Sequence, residues 1–259
     1  MSFAKLPDAQ IHYELSGPEN APVLLFSNSL GTTFHMWDVQ VEDFSKHFRI
    51  LRYDTRGHGQ SSVTPGPFTM EQLSNDVLLL LDFLELQQVS FCGLSMGGMT
   101  GMFLGAQFPS RFRKLVLCST AAKIGTPDIW NARIDAVRKS GMNSVASAVI
   151  ERWFTPSFRA AHSAATADML TMLENANPNG YVANCAAVRD FDFRDRLSLI
   201  KPPTLVVSGT HDPVSTPADG RFLAEQIQEC RLVEVPAAHI SNIEAQIQFD
   251  REVLSFLRD

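Results

Sequence analysis

The chain has 259 residues, 45% of them hydrophobic and 19% charged, which suits one large globular domain, or one with an insertion, and excludes a largely disordered chain. The net charge is −6 and no basic run is present, which argues against a nucleic-acid partner. The opening MSFAKLPDAQ lacks the apolar core of a signal peptide, and no stretch of about 18 uncharged apolar residues offers a membrane span.

Apolar runs of strand length recur along the chain: IHYEL at 11–15, VLLFS at 23–27, FRILRYD at 48–54, VSFCGL at 89–94, KLVLCS at 114–119, TLVVSG at 204–209 and RLVEVP at 231–236. Most lack strict alternation, as strands buried on both faces do. Helical patterns separate them. TMEQLSNDVLLLLDFLEL at 69–86 opens with Thr69 and Gln72 placed like a capping box, and 216–228 and 242–259 carry two more helices. Strands alternating with helices predict an α/β fold with a mostly parallel central sheet and helices on both faces.

Residues 121–187 break this rhythm. They hold no convincing strand and four amphipathic helical patterns, punctuated by Pro156 and Pro178. An ordinary crossover needs one helix, so the predicted division is a core of residues 1–120 and 188–259 with a helical cap, 121–187, inserted in it. Cys92, Cys118, Cys185 and Cys230 contain no C-x-x-C pair, and Cys92 and Cys118 fall in predicted buried strands. Reduced thiols in a cytoplasmic protein are the expectation. There is no H-E-x-x-H and no zinc-spaced His/Cys cluster, so no metal is expected.

The chemistry centres on CGLSMGGM at 92–99. A strand, then G-x-S-x-G, then a helix is the setting of a nucleophile elbow. Gly93 and Gly97 remove side chains that would clash in so tight a turn, and Ser95 stands at a helix N-terminus, where free N–H groups favour an anion. A serine hydroxyl needs a base. His239, in the loop between the last predicted strand and the last helix, lies on the same sheet edge. Asp212, in the loop after the preceding strand, would fix the tautomer of His239 and stabilise its imidazolium. His211 reads as a loop residue, and His12, His35, His47 and His162 show no partner signal. The oxyanion would rest on the backbone N–H groups of Met96 and of Leu30, in the loop SLGTTFHMW. In YDTRGHGQSS at 53–62, Asp54, Arg56 and His58 read as loop ties beneath the site. No cofactor is required.

The motifs SNSLG, YDTRGHGQSS, GLSMGG, GTHD and AAHISNIE, in this order, make nearly the whole chain resemble an α/β-hydrolase with a cap. Its usual His-Gly opening of the oxyanion loop is replaced by Asn28-Ser29. Residues 108–142, above all STAAKIGTPDIW running into R..AVR..GM, resemble the 3-oxoadipate enol-lactonases of aromatic (protocatechuate and catechol) degradation. The resemblance implies ring opening of a small lactone bearing a carboxylate. The 121–187 segment holds six Lys/Arg against five Asp/Glu in an acidic protein, a weak sign of an anionic ligand. Within it, Arg133 is a candidate carboxylate clamp, with Trp130 on the same helix face and Trp153 as apolar walls; packing roles for the three weigh about as much. Alternatives on the same machinery are a carboxylesterase, a C–C bond hydrolase or a perhydrolase, and from another class a hydrolase-fold ligand sensor. Ser95 where dehalogenases and epoxide hydrolases use aspartate disfavours those. An acyl-enzyme and direct attack by water both stay open, as does the oligomeric state.

Overall fold

The computed structural model describes residues 2–259. The chain begins with β1 (Ser2–Lys5) and β2 (Gln10–Ser16), then alternates through β3 (Val23–Ser27), α1 (Asp38–Phe44), β4 (Arg49–Tyr53), α2 (Met70–Phe83), β5 (Val89–Leu94), α3 (Met96–Gln107) and β6 (Phe112–Cys118). Five helices follow with no strand between them: α4 (Pro127–Ser140), α5 (Asn143–Trp153), α6 (Pro156–Ala161), α7 (Ser163–Glu174) and α8 (Pro178–Asp190). The chain ends with β7 (Thr204–Gly209), α9 (Pro217–Gln226), β8 (Cys230–Val235), α10 (Ser241–Glu244) and α11 (Gln246–Arg258).

All eight strands form one sheet, ordered β1-β2-β4-β3-β5-β6-β7-β8. β2 pairs antiparallel with β1 and β4, and every other pair is parallel. Every residue of β5 and β7 is buried, which is why VSFCGL and TLVVSG show no polar alternation: neither strand has a wet face. Helix α3 lies on β5 and β6 and packs against α2, while α9 and α11 both lie on β7 and β8 and α11 also packs against α1. The α/β expectation of a mostly parallel sheet clothed in helices is met. Among the described residues no helix is long and apolar enough to cross a membrane.

Several local expectations change. β1 escaped the pattern because only Ala4 of its four residues is buried. The helix expected over 242–259 is two, separated at Ala245 (φ −114°, ψ 39°). Four helical patterns between β6 and β7 become five helices, α6 being the addition, and they run on to Asp190. Pro156 and Pro178 punctuate the helices as expected: each opens a new helix, α6 after α5 and α8 after α7, behind the capping side chains of Thr155 and Asn177. Proline is well placed there because the N–H it lacks has no partner inside the helix.

The parallel run brings the ends of β3, β5, β7 and β8 to one edge of the sheet. Between β3 and β5 the chain reverses its direction across the sheet, which opens a crevice beyond the strand ends.

Candidate active site

Ser95 joins β5 to α3 at φ 58° and ψ −112°. Three hydrogen bonds hold that turn: Ser95 N–H to the Cys118 carbonyl (2.9 Å), Gly97 N–H to the Asn28 carbonyl (3.0 Å) and Thr120 Oγ1 to the Ser95 carbonyl (2.8 Å). A Cβ on Gly97 would stand 2.2 Å from the Ser27 carbonyl oxygen, and one on Gly93 would stand 2.3 Å from the Gly97 carbonyl oxygen. Backbone fills both spaces, so the motif's glycines are steric necessities. Ser95 occupies the N-cap position of α3, yet its side chain makes no capping bond. Its hydroxyl is not committed to the helix.

Asp212 follows β7 and His239 follows β8; both are almost completely buried. His239 Nδ1 meets Asp212 Oδ2 at 2.8 Å. The same carboxylate accepts from Val214 N–H (2.7 Å), Ser215 N–H (3.1 Å) and Ser215 Oγ (2.7 Å). Burial alone would raise the Asp212 carboxyl. His239 and the donors of Ser215 and Val214 outweigh it and hold the group below the usual carboxylate range. Ser95 and His239 line one cavity of about 180 Å³, together with Leu30, Trp130, Arg133 and Trp153. Two larger hollows, of about 740 and 790 Å³, contain neither Ser95 nor His239.

The backbone N–H groups of Leu30 and Met96 have no hydrogen-bond partner among the described residues. The loop bearing Leu30 is anchored on both flanks. Asn28 donates to the Tyr53 carbonyl (2.7 Å) and accepts from Trp37 Nε1 (3.0 Å). Gly31 N–H donates to His58 Nε2 (2.8 Å), and Phe34 N–H donates to Asp54 Oδ1 (2.9 Å). His58 must be neutral to accept, and its burial pushes it down to about 4. Arg56 pairs with Asp76 and Asp8. YDTRGHGQSS therefore ties together the loops beneath the site. Two of the histidines without a partner signal in the sequence have carboxylate partners: buried His12, with Nδ1 2.7 Å from Asp54 Oδ2, and exposed His35, with Nδ1 3.0 Å from Asp38 Oδ2. His211 is an exposed loop residue on Thr210 Oγ1.

On the helical wall, Arg133 stacks its guanidinium over the Trp130 ring, 4.7 Å from the centroid, and Trp130 Nε1 donates to the Ile124 carbonyl (2.7 Å). A second arginine, Arg152, also lines the cavity, and sequence reasoning missed it. Its signal was present: Val149, Arg152 and Trp153 share one face of α5, and all three reach the cavity. Neither arginine forms an ion pair among the described residues. Burial, and then the charge of Arg133, hold the Arg152 guanidinium below its ordinary value. Both guanidiniums line one small cavity with no ion-pair partner among the described residues, and their planar forks have the geometry to hold a carboxylate.

A serine at a strand–helix elbow, an Asp-oriented histidine in the same cavity and unpaired N–H groups beside it define a site equipped for acyl transfer. The chain belongs to the alpha/beta hydrolase fold family, whose model matches residues 22–246. Within that family it falls with the enol-lactonases. It is 41% identical to 3-oxoadipate enol-lactonase 2 of Acinetobacter baylyi, covering 97% of this chain and 94% of the relative. It is 39% identical to 3-oxoadipate enol-lactonase 1 of the same organism, covering 95% and 92%. The crystal structure of the enol-lactonase from Burkholderia xenovorans LB400 superposes with a TM-score of 0.98 at 45% identity, over 100% of both chains.

Proposed function

We propose that this protein hydrolyses 3-oxoadipate enol lactone to 3-oxoadipate, a step in aromatic degradation, through Ser95, His239 and Asp212. The observation that carries the reading is the 180 Å³ cavity, with Ser95 and His239 in its lining and the guanidiniums of Arg133 and Arg152 in its wall. That volume lies below the ~300–1,000 Å³ of pockets for drug-sized ligands and suits a compact ring. His239 takes the Ser95 proton as Ser95 Oγ attacks the lactone carbonyl, with Asp212 holding the imidazole in the required tautomer. The N–H groups of Leu30 and Met96 receive the oxyanion. Collapse of the tetrahedral intermediate breaks the ring C–O bond; the enolate, still attached to the acyl chain, takes the proton held on His239 and ends as the ketone, which leaves His239 neutral. Water, deprotonated by the neutral His239, then attacks the acyl group, and His239 returns that proton to Ser95 Oγ as the acid is released. Arg133 binds the substrate carboxylate, Trp130 and Trp153 wall the ring, and the helices of 121–187 act as the cap over the core.

The test is product formation. The wild type should convert the lactone to 3-oxoadipate over many turnovers, and Ser95→Ala should lower kcat by at least about 10³-fold with an unchanged circular dichroism spectrum. Near wild-type turnover by Ser95→Ala would remove the nucleophile, and absence of 3-oxoadipate would remove the substrate.

A further inference from the structure

Glu244, the last residue of α10, joins two parts of the molecule that the chemistry needs in register. Its Oε2 accepts from the Ala238 N–H at 2.8 Å. Its Oε1 accepts from the Thr155 N–H at 3.1 Å and from the Thr155 hydroxyl. Thr155 lies two residues beyond Trp153, at the junction of α5 and α6, and caps α6 through Phe158 N–H (3.2 Å). A second bond runs the same way: Ile240 N–H donates to the Trp153 carbonyl at 3.0 Å. The N–H groups on both sides of His239 are thus tied to residues 153–155, directly or through one carboxylate. Asp212 fixes the His239 ring from the core side; these bonds fix its backbone from the helical side.

We propose that Glu244 is a positioning residue that locks the His239 loop to the end of α5, so that the wall bearing Arg152 and Trp153 and the general base move as one unit. The inference rests on the reading of His239 as the base. A carboxylate fits this role because both of its oxygens only accept, and every group facing them is an N–H or O–H donor. Glutamine at 244 would turn an NH₂ towards one of those donors. Thr155→Val removes the hydroxyl donor together with the cap on Phe158 N–H, and Thr155→Ser keeps both.

The experiment is steady-state hydrolysis of 4-nitrophenyl acetate by folded variants, checked by circular dichroism. Glu244→Gln should lower kcat at least about tenfold with KM within about twofold, since misplacing a catalytic group by about an ångström costs up to about 10²-fold in rate. Thr155→Val should show a smaller loss of the same kind, and Thr155→Ser should retain the wild-type rate. The Glu244→Gln, Thr155→Val double variant should be no slower than Glu244→Gln, because both cut one link. Wild-type kcat in folded Glu244→Gln and Thr155→Val would overturn the proposal. So would a rise in KM at constant kcat, or additive losses in the double variant. The neutral acetate makes no demand on the arginine wall, so the result stands even if the enol lactone is not the substrate. A wild type inert towards the ester would sink the base and the clamp together.

Discussion

Ser95 is held at φ 58°, a region that costs a non-glycine residue on the order of 1–3 kcal/mol and persists only where surrounding structure dictates it. The Cys118, Asn28 and Thr120 bonds supply that dictation. Arg152 shows a related economy on the opposite wall: it has no ion-pair partner among the described residues, and the like charge of Arg133 acts on it more strongly than the opposite charge of Glu151. Arg152→Met keeps the stem and removes the charge. A hydrogen bond to a charged group is worth about 1.5–3 kcal/mol, so KM for the carboxylate-bearing lactone should rise by about 10- to 100-fold. kcat/KM for a neutral ester should stay within about twofold, and the unliganded Tm should match or exceed that of the wild type. Equal losses on both substrates would remove Arg152 from carboxylate recognition. At this scale the meeting of Ser95, Asp212 and His239 was legible, because each follows a strand of one parallel sheet and strand ends share an edge. Arg152 was legible only through its spacing from Val149 and its place beside Trp153 on α5, because which face of that helix turns inward depends on packing.

The elements meet at the elbow more tightly than composition suggests. α3 enters directly beneath the loop after β3, and the space beside Gly97 is taken by the Ser27 carbonyl. Backbone cannot rotate away as a side chain can. Gly97→Ala should therefore destabilise the fold by more than about 3 kcal/mol in urea denaturation, well beyond the ordinary range for one methyl group. A soluble variant with wild-type stability would show that α3 can shift. Most elements were readable from apolar runs and punctuation. β1 was not, since an edge strand with one buried residue carries no period. α6 was not, since its six residues include no buried one and its helicity is set by the Thr155 cap and Pro156.

Across the whole molecule, stability depends on buried titratable groups that serve packing. Asp250 on α11 accepts from Gln40 Nε2 (3.0 Å), and Gln40 accepts from Asn242, which also donates to the Met36 carbonyl (2.9 Å). Burial pushes Asp250 up to about 6. A carboxyl raised in the folded state contributes stability that is complete below its unfolded value of about 3.9 and is lost as pH rises through the folded value. Asp250→Asn keeps the acceptor for Gln40 and cannot ionise. Its Tm relative to the wild type should therefore climb between about pH 4 and about pH 6.5 and then level off. A gap that stays constant with pH would mean Asp250 titrates normally.

The mostly parallel α/β architecture was legible because doubly buried strands and amphipathic helices have different periods. The cavity was less so: its volume and its second cation depend on how α4, α5 and α8, which line it, pack together. The most direct test is therefore steady-state kinetics on 3-oxoadipate enol lactone beside a neutral enol lactone of the same ring that lacks the carboxylate. The account predicts kcat/KM at least about 100-fold higher for the carboxylate-bearing lactone, as expected from roughly 3 kcal/mol of charge-assisted binding. Equal or faster turnover of the neutral lactone would contradict it and leave a serine hydrolase whose paired arginines serve another purpose.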